Sequence, residues 1–286
     1  MLRHSLLLLP LLSISAVSYA GSQLRLFAGI DSTFISTEEI DTRTYRDPTT
    51  SKTVTESYHP NEESGSLLGG GVGFEWLSAN GVYYGGTLDV SDGDVEYTGE
   101  SNLGTKIKNG TSYIYYWRPK VYAGKEIREW WFKPRLEIEV GGQLKERHID
   151  PRTEGVEGYK ESYKWWYSGV GVSFEFLGNQ DWSWRSGLNY RMMIQPTNDT
   201  TLTKRDIDLG STSSISWLNS VWLNLGEDLY MGIELNLTRM NLERSRLIYD
   251  GVVETEESTT PYWYYQPESH WQDTHLRFSI SKRFDF

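Results

Sequence analysis

The chain has 286 residues and a formal charge of −11, from 28 Lys and Arg against 39 Asp and Glu. That balance argues against a nucleic-acid binder, which needs a basic face. With no Cys at all, disulfides, zinc–thiolate sites and thiol nucleophiles are excluded.

Arg3, the apolar run Leu6–Leu12 and the small-residue step Ser18-Tyr19-Ala20 predict a secretory signal over 1–20, cleaved after Ala20. The run is too short for a membrane helix, and Gly21 is not a lipoprotein Cys. No linker or repeat divides the rest, so 21–286 is expected to be one domain. A first strand is expected near Gln23–Ser36. In Leu67–Trp76, LLGGGVGFEW, the glycines alternate on one strand face and no helix follows, so it is no phosphate loop. Asp92-Gly93-Asp94 leaves the third strand. Leu136, Ile138, Val140, Gly142 and Leu144 alternate with polar residues, which is the period of a strand with one oily face. The same period recurs over Trp166–Phe176, Trp182–Ile194, Leu229–Leu237 and Leu276–Phe286.

Short connections (Ser78–Gly81, Glu126–Trp131, Gly178–Asp181, Gly226–Asp228) alternate with long polar ones near Thr37–Glu63, Thr98–Asn109, Ile149–Glu161, Thr197–Gly210 and Arg246–Ser269. The segments between are roughly 14–17 residues, well above the usual ~5–6, and they number about ten. The opposite face of these strands carries Arg25, Glu75, Arg118, Glu137, Glu139, Arg185, Arg191, Glu234 and Arg277, with many Gly. Gly on a solvated strand face weakens the strand; in a narrow barrel it makes room for charged side chains that pair across the lumen. Trp76, Trp130, Trp131 and Trp182 near the short turns, and Trp165, Trp166, Trp217 and Trp271 toward the long loops, read as two aromatic girdles.

With these features the chain resembles bacterial outer-membrane β-barrel proteins. The resemblance implies an all-β, antiparallel up-and-down transmembrane barrel of about ten strands, with short periplasmic turns, long extracellular loops and a monomeric state in the outer membrane. Phe278, Ile280, Phe284 and Phe286 fit the C-terminal pattern that the barrel-assembly machinery recognises; Lys282 departs from it. Ten strands also resemble the omptins, outer-membrane proteases whose site is an Asp-x-Asp pair facing an Asp-x-His pair. Asp92 and Asp94 match the first pair. The loop expected to hold the second has Asp206-Ile207-Asp208 and no His, while Asp273-Thr274-His275 stands on the tenth strand and His148-Ile149-Asp150 runs in reverse order. No catalytic centre is therefore assigned; Asp92, Asp94, Asp273 and His275 are the residues that would carry one.

No metal or cofactor is assigned, because the acidic run Asp89 to Glu96 fits no EF-hand. Basic residues where strands leave the bilayer, Arg147, Lys164 and Arg239 among them, are expected to meet lipopolysaccharide phosphates, with Arg239 and Lys164 foremost. Tyr262, Trp263, Tyr264, Tyr265 and Trp271 form an aromatic loop that either binds a sugar or protein ligand or folds over the barrel mouth. A crowded lumen favours a plugged barrel. The expected function is a structural or surface-interaction barrel; a narrow solute channel and an omptin-like protease are the alternatives.

Overall fold

The computed structural model describes residues 21–46, 53–58, 60–100, 106–152, 158–177, 181–201, 206–254 and 259–286. The expected signal segment lies outside them. Ten long strands form the body: β1 (Gln23–Arg46), β2 (Asn61–Leu77), β3 (Val82–Glu100), β4 (Lys106–Glu126) and β5 (Pro134–Asp150), then β6 (Tyr159–Leu177), β7 (Trp182–Thr200), β8 (Thr212–Gly226), β9 (Leu229–Leu242) and β10 (Glu268–Asp285). Each pairs antiparallel with the next, and β10 pairs with β1 from Gln23↔Asp285 to Ile40↔Glu268, which closes the ring. Among the described residues there is no helix. Closure leaves the ten-strand ring without an edge, the condition for a β-structure in lipid. It runs to the end of the tail: Gly21 N–H donates to Phe286 O at 2.8 Å, and Phe286 N–H donates to Ser22 O at 2.9 Å.

The short turns carry their own signals. Gly226↔Leu229 closes β8–β9 around Glu227 and Asp228, which have φ of 52° and 59°. Positive φ at both central residues is the type I′ arrangement that matches strand twist.

The outer face is apolar through the middle of the barrel. Ile30 is 72% exposed and Leu68 70%, and Val121, Ile138, Val170, Leu188 and Ile280 stand in the same belt. Trp117, Trp166 and Trp217 ring its upper edge, with Trp130, Trp131 and Trp182 at the short-turn end. Lys282 sits low on this face and donates to the Glu227 carbonyl. Two members of the predicted upper girdle are corrected: Trp165 and Trp271 point inward and are buried.

The strands hold 14 to 24 residues, where spanning a bilayer takes about 9–11. Much of the predicted long loops is strand. Above the belt the faces exchange character: outward stand Glu62, Asp94, Glu146, His148 and Lys160, all exposed, while inward stand Ile35, Leu67, Val95, Ile114 and Tyr116, all buried. The oily-out reading holds only within the bilayer; beyond it water is outside, and the barrel packs like a soluble one. Further short strands lie at this end. Thr53–Tyr58 pairs with β1, Ile207–Asp208 with β7, and Ile248–Glu254 forms a hairpin with Thr259–Tyr264.

Inward glycines make room for facing side chains. A Cβ at Gly85 would lie 2.5 Å from the Tyr122 hydroxyl, and one at Gly232 would lie 2.5 Å from the Trp222 ring. Gly232→Val is therefore expected to lower folding stability by about 1–3 kcal/mol through overpacking, measured as a shift in the guanidinium midpoint of the detergent-folded barrel.

Candidate functional site

The interior divides into three levels. At the short-turn end is a vestibule of about 730 Å³. It narrows into a central cavity of about 220 Å³ that shares Arg25, Glu75, Arg135, Arg185 and Trp222 with it. Above the cavity, apolar side chains of the described residues pack across the interior.

The vestibule and cavity are lined by ion pairs between strands. Arg135 binds Glu126 at 2.6 Å and Glu75 at 3.1 Å, and Arg185 binds Glu175 at 2.6 Å. Higher, Arg191 binds Glu139 at 2.6 Å, with Lys120 3.7 Å from the same carboxylate. Tyr83 donates its hydroxyl to Glu137 at 3.3 Å. On the β1–β10 side, Arg277 joins Asp31 to Asp89, and His275 Nε2 stands 3.3 Å from Asp31. Glu234 and Arg118 also line the cavity. The nine residues read from the sequence as a lumen network thus all face the interior.

Two apolar clusters fill the third level. One is Ile35, Leu67, Val95, Ile114 and Tyr116 from β1 to β4. The other joins Tyr163, Trp165 and Tyr167 of β6, Ile207 and Leu209 of the β7–β8 connection, Met240 and Leu242 of β9, and Trp271 of β10. Lys145 lies between them, its ammonium 3.9 Å from the Trp271 ring centroid. A void of about 30 Å³ remains beside Gln143, Trp165, Trp271 and Asp273.

Directly above, Arg147 is 1% exposed and gathers three carboxylates: Glu63 at 3.1 Å, Glu39 at 3.4 Å, and Glu161. The outward neighbours at this height are polar, so the group lies beyond the bilayer. Burial alone would raise the Glu63 carboxyl, but Arg147 and Lys145 hold it below its ordinary value. Glu39 is pushed up, by burial first and by Glu161 and Glu63 beside it, against the pull of Arg147. The Arg147 guanidinium is raised: burial opposes its charge, and Glu161 and Glu63 outweigh that. The placement of Arg147 corrects its reading as a lipopolysaccharide contact.

The mouth is tied to the last long connection. Gln266 donates its side-chain amide to Glu39 at 3.2 Å and accepts from Asn198 at 3.1 Å, while Arg244 stacks 3.9 Å from the Tyr265 ring centroid. Tyr265 also donates to Asp41. Tyr265 and Trp271, read from the sequence as either ligand-binding or folded over the mouth, are engaged in contacts within the barrel itself. The side chains of Tyr262, Trp263 and Tyr264 lie outside the described residues.

The protease candidates fall on two sides of the wall. Asp92 and Asp94 are outward and exposed, and Asp92 accepts from the Tyr113 hydroxyl at 2.5 Å. Asp273 and His275 face the central cavity. The barrel wall separates the pairs, so no water could be held between them. Arg239 and Lys164 are exposed on the outer face, on β9 and β6, and are not brought together; Lys164 is 3.9 Å from Asp199. Among the described residues no cluster of His, Asp and Glu could hold a metal ion.

No protein-family model and no curated protein matches the sequence. Among solved structures the chain is similar to the outer-membrane protease OmpT of Escherichia coli, at 11% identity over 94% of this chain and 99% of that one, with a TM-score of 0.55. It is also similar to the transport unit of the autotransporter AIDA-I of Escherichia coli, at 10% identity over 98% and 94% of the two chains, with a TM-score of 0.46. The translocator domain of the autotransporter NalP of Neisseria meningitidis gives 13% identity over 94% and 90%, with a TM-score of 0.44. The OmpT likeness shows the fold, an outer-membrane-type antiparallel barrel, and at this identity nothing of the activity.

Proposed function

We propose that the protein resides in the Gram-negative outer membrane as a non-conducting barrel, with its long loops outside the cell and its short turns in the periplasm. The observation that carries this reading is the filled third level. Two apolar clusters, bridged by Lys145 and roofed by the Arg147 group, occupy the lumen between the central cavity and the loops. An ion crossing that level would leave water for a close-packed interior, which costs several kcal/mol or more. The protein then serves as a rigid platform that displays its loops. The outward Asp92 and Asp94 speak against omptin-like hydrolysis. Contact of Arg239 and Lys164 with lipopolysaccharide, and recognition of Phe286 by the assembly machinery, belong to the same proposal.

Single-channel recording in a planar bilayer tests it. Folded, heat-modifiable protein should insert silently. Steady, ion-selective steps would establish the narrow-channel alternative instead.

A further inference from the structure

Most charges of the vestibule are already spoken for. Both oxygens of Glu75 accept from Arg135, at 3.1 and 3.2 Å. Glu126 accepts from Arg135 at 2.6 Å and from Arg128 at 3.2 Å, and Glu175 from Arg185 at 2.6 Å. Arg283 reaches Asp228 at 2.5 Å and Asp285 at 3.4 Å. Arg25 differs. It sits between Glu75 and Arg283 in the sheet register, yet among the described residues it makes no hydrogen bond and no ion pair. Its guanidinium carbon lies 4.4 Å from the Trp222 ring centroid and 5.1 Å from that of Tyr230.

Ring contact uses the faces of a guanidinium and leaves its N–H edge unspent. That edge is a rigid fork of donors that matches a carboxylate or phosphate with two parallel hydrogen bonds. The surroundings strengthen the match. Six cations line the vestibule (Arg25, Arg128, Lys133, Arg135, Arg185, Arg283) against the four carboxylates Glu75, Glu126, Glu175 and Asp181. The space is of ligand size, since small-molecule sites run to about 300–1,000 Å³. Trp222 and Tyr230 supply apolar walls.

We propose that the vestibule binds a small oxyanion, a phosphate or carboxylate group, on the N–H edge of Arg25, with Trp222 and Tyr230 holding the guanidinium in place. The ligand enters from the short-turn end, below the filled level, so binding requires no conduction.

The test uses the folded mature chain in detergent at fixed ionic strength. Inorganic phosphate and succinate are titrated in separate arms, followed by calorimetry and by Trp fluorescence. Saturable binding at one site per barrel is expected in at least one arm, and the responding arm tells phosphate from carboxylate. Arg25→Gln should weaken it by about tenfold or more, while Arg152→Gln, at an exposed arginine of the opposite end, leaves it unchanged. Arg25→Lys keeps the charge and loses the fork. It should also bind more weakly, and it carries the test where Arg25→Gln does not fold. No saturable binding in either arm, or equal binding by a folded Arg25 variant, overturns the proposal and leaves the stack as packing. Conductance is read separately, so a channel would refute the sealed lumen without touching this site.

Discussion

Arg147→Met should destabilise the folded barrel by about 3–5 kcal/mol, the cost of leaving buried charge without its partner. The side chain is among the most buried in the molecule and faces Glu39, Glu63 and Glu161 together. Met fills much of the volume, so the loss reads the charge and not a cavity. Guanidinium unfolding of the detergent-folded protein, followed by Trp fluorescence, measures it. A loss below about 0.5 kcal/mol, the scale of a surface change, would mean that water reaches the group.

The same cluster makes stability depend on pH in two opposed ways. Glu63 has a folded pKa below its ordinary 4.5. Its contribution is present above that ordinary value and is lost as pH falls through the folded one. Glu39 has a folded pKa above 4.5. The native state then holds a proton that the unfolded chain has released, so stability falls as pH rises from about 4.5 through the folded value. Glu39→Gln removes only the second effect. Its stability relative to the parent should therefore improve as pH rises above about 4.5, and a difference that stays flat with pH would show that Glu39 is not raised.

The barrel was legible in the sequence because a period of two survives any loop length and because closure forces the tail to keep it. Lumen residues such as Arg25, Glu139 and Arg277 followed from parity alone. Parity also fixes the outward position of Asp92 and Asp94, which share a face with Leu88 and Val90, and on that ground the two cannot face a lumen site. What alternation does not say is where the bilayer ends. Ile35, Leu67 and Ile114 stand in register with Asp31, Gly69 and Arg118, all inward, and a rule of polar-in and oily-out has no place for them. The exchange of faces is set by what surrounds the strand, water or lipid, and that information is not local. A second obstacle is the irregularity at Gln195, with φ of 48°. It shifts parity, so that Pro196, Asn198 and Thr200 turn inward where Met193 had been. Neighbouring aromatics mislead for a similar reason: Trp165 and Trp166 look alike in sequence, yet one is core and the other girdle.

Trp271 shows what depends on that distinction. Read as a loop aromatic, its removal would abolish ligand binding and spare stability. Read as observed, it is 2% exposed, meets Tyr163 and Trp165 edge-on at 5.1 and 5.8 Å, and carries the buried Lys145 ammonium on its face. Trp271→Ala should then cost about 3–5 kcal/mol, as for other buried Trp. Part of that loss belongs to Lys145, which would stay buried without its ring. In a double-mutant cycle with Lys145→Met the two changes should couple by about 2 kcal/mol, the upper range of a desolvated cation–π contact. Additive losses would mean that the Trp271 ring adds nothing to the hold of Glu63 on Lys145, at 3.6 Å. A single-mutant loss under about 0.5 kcal/mol would return Trp271 to the surface and, with it, unseat the filled level on which the non-conducting barrel rests.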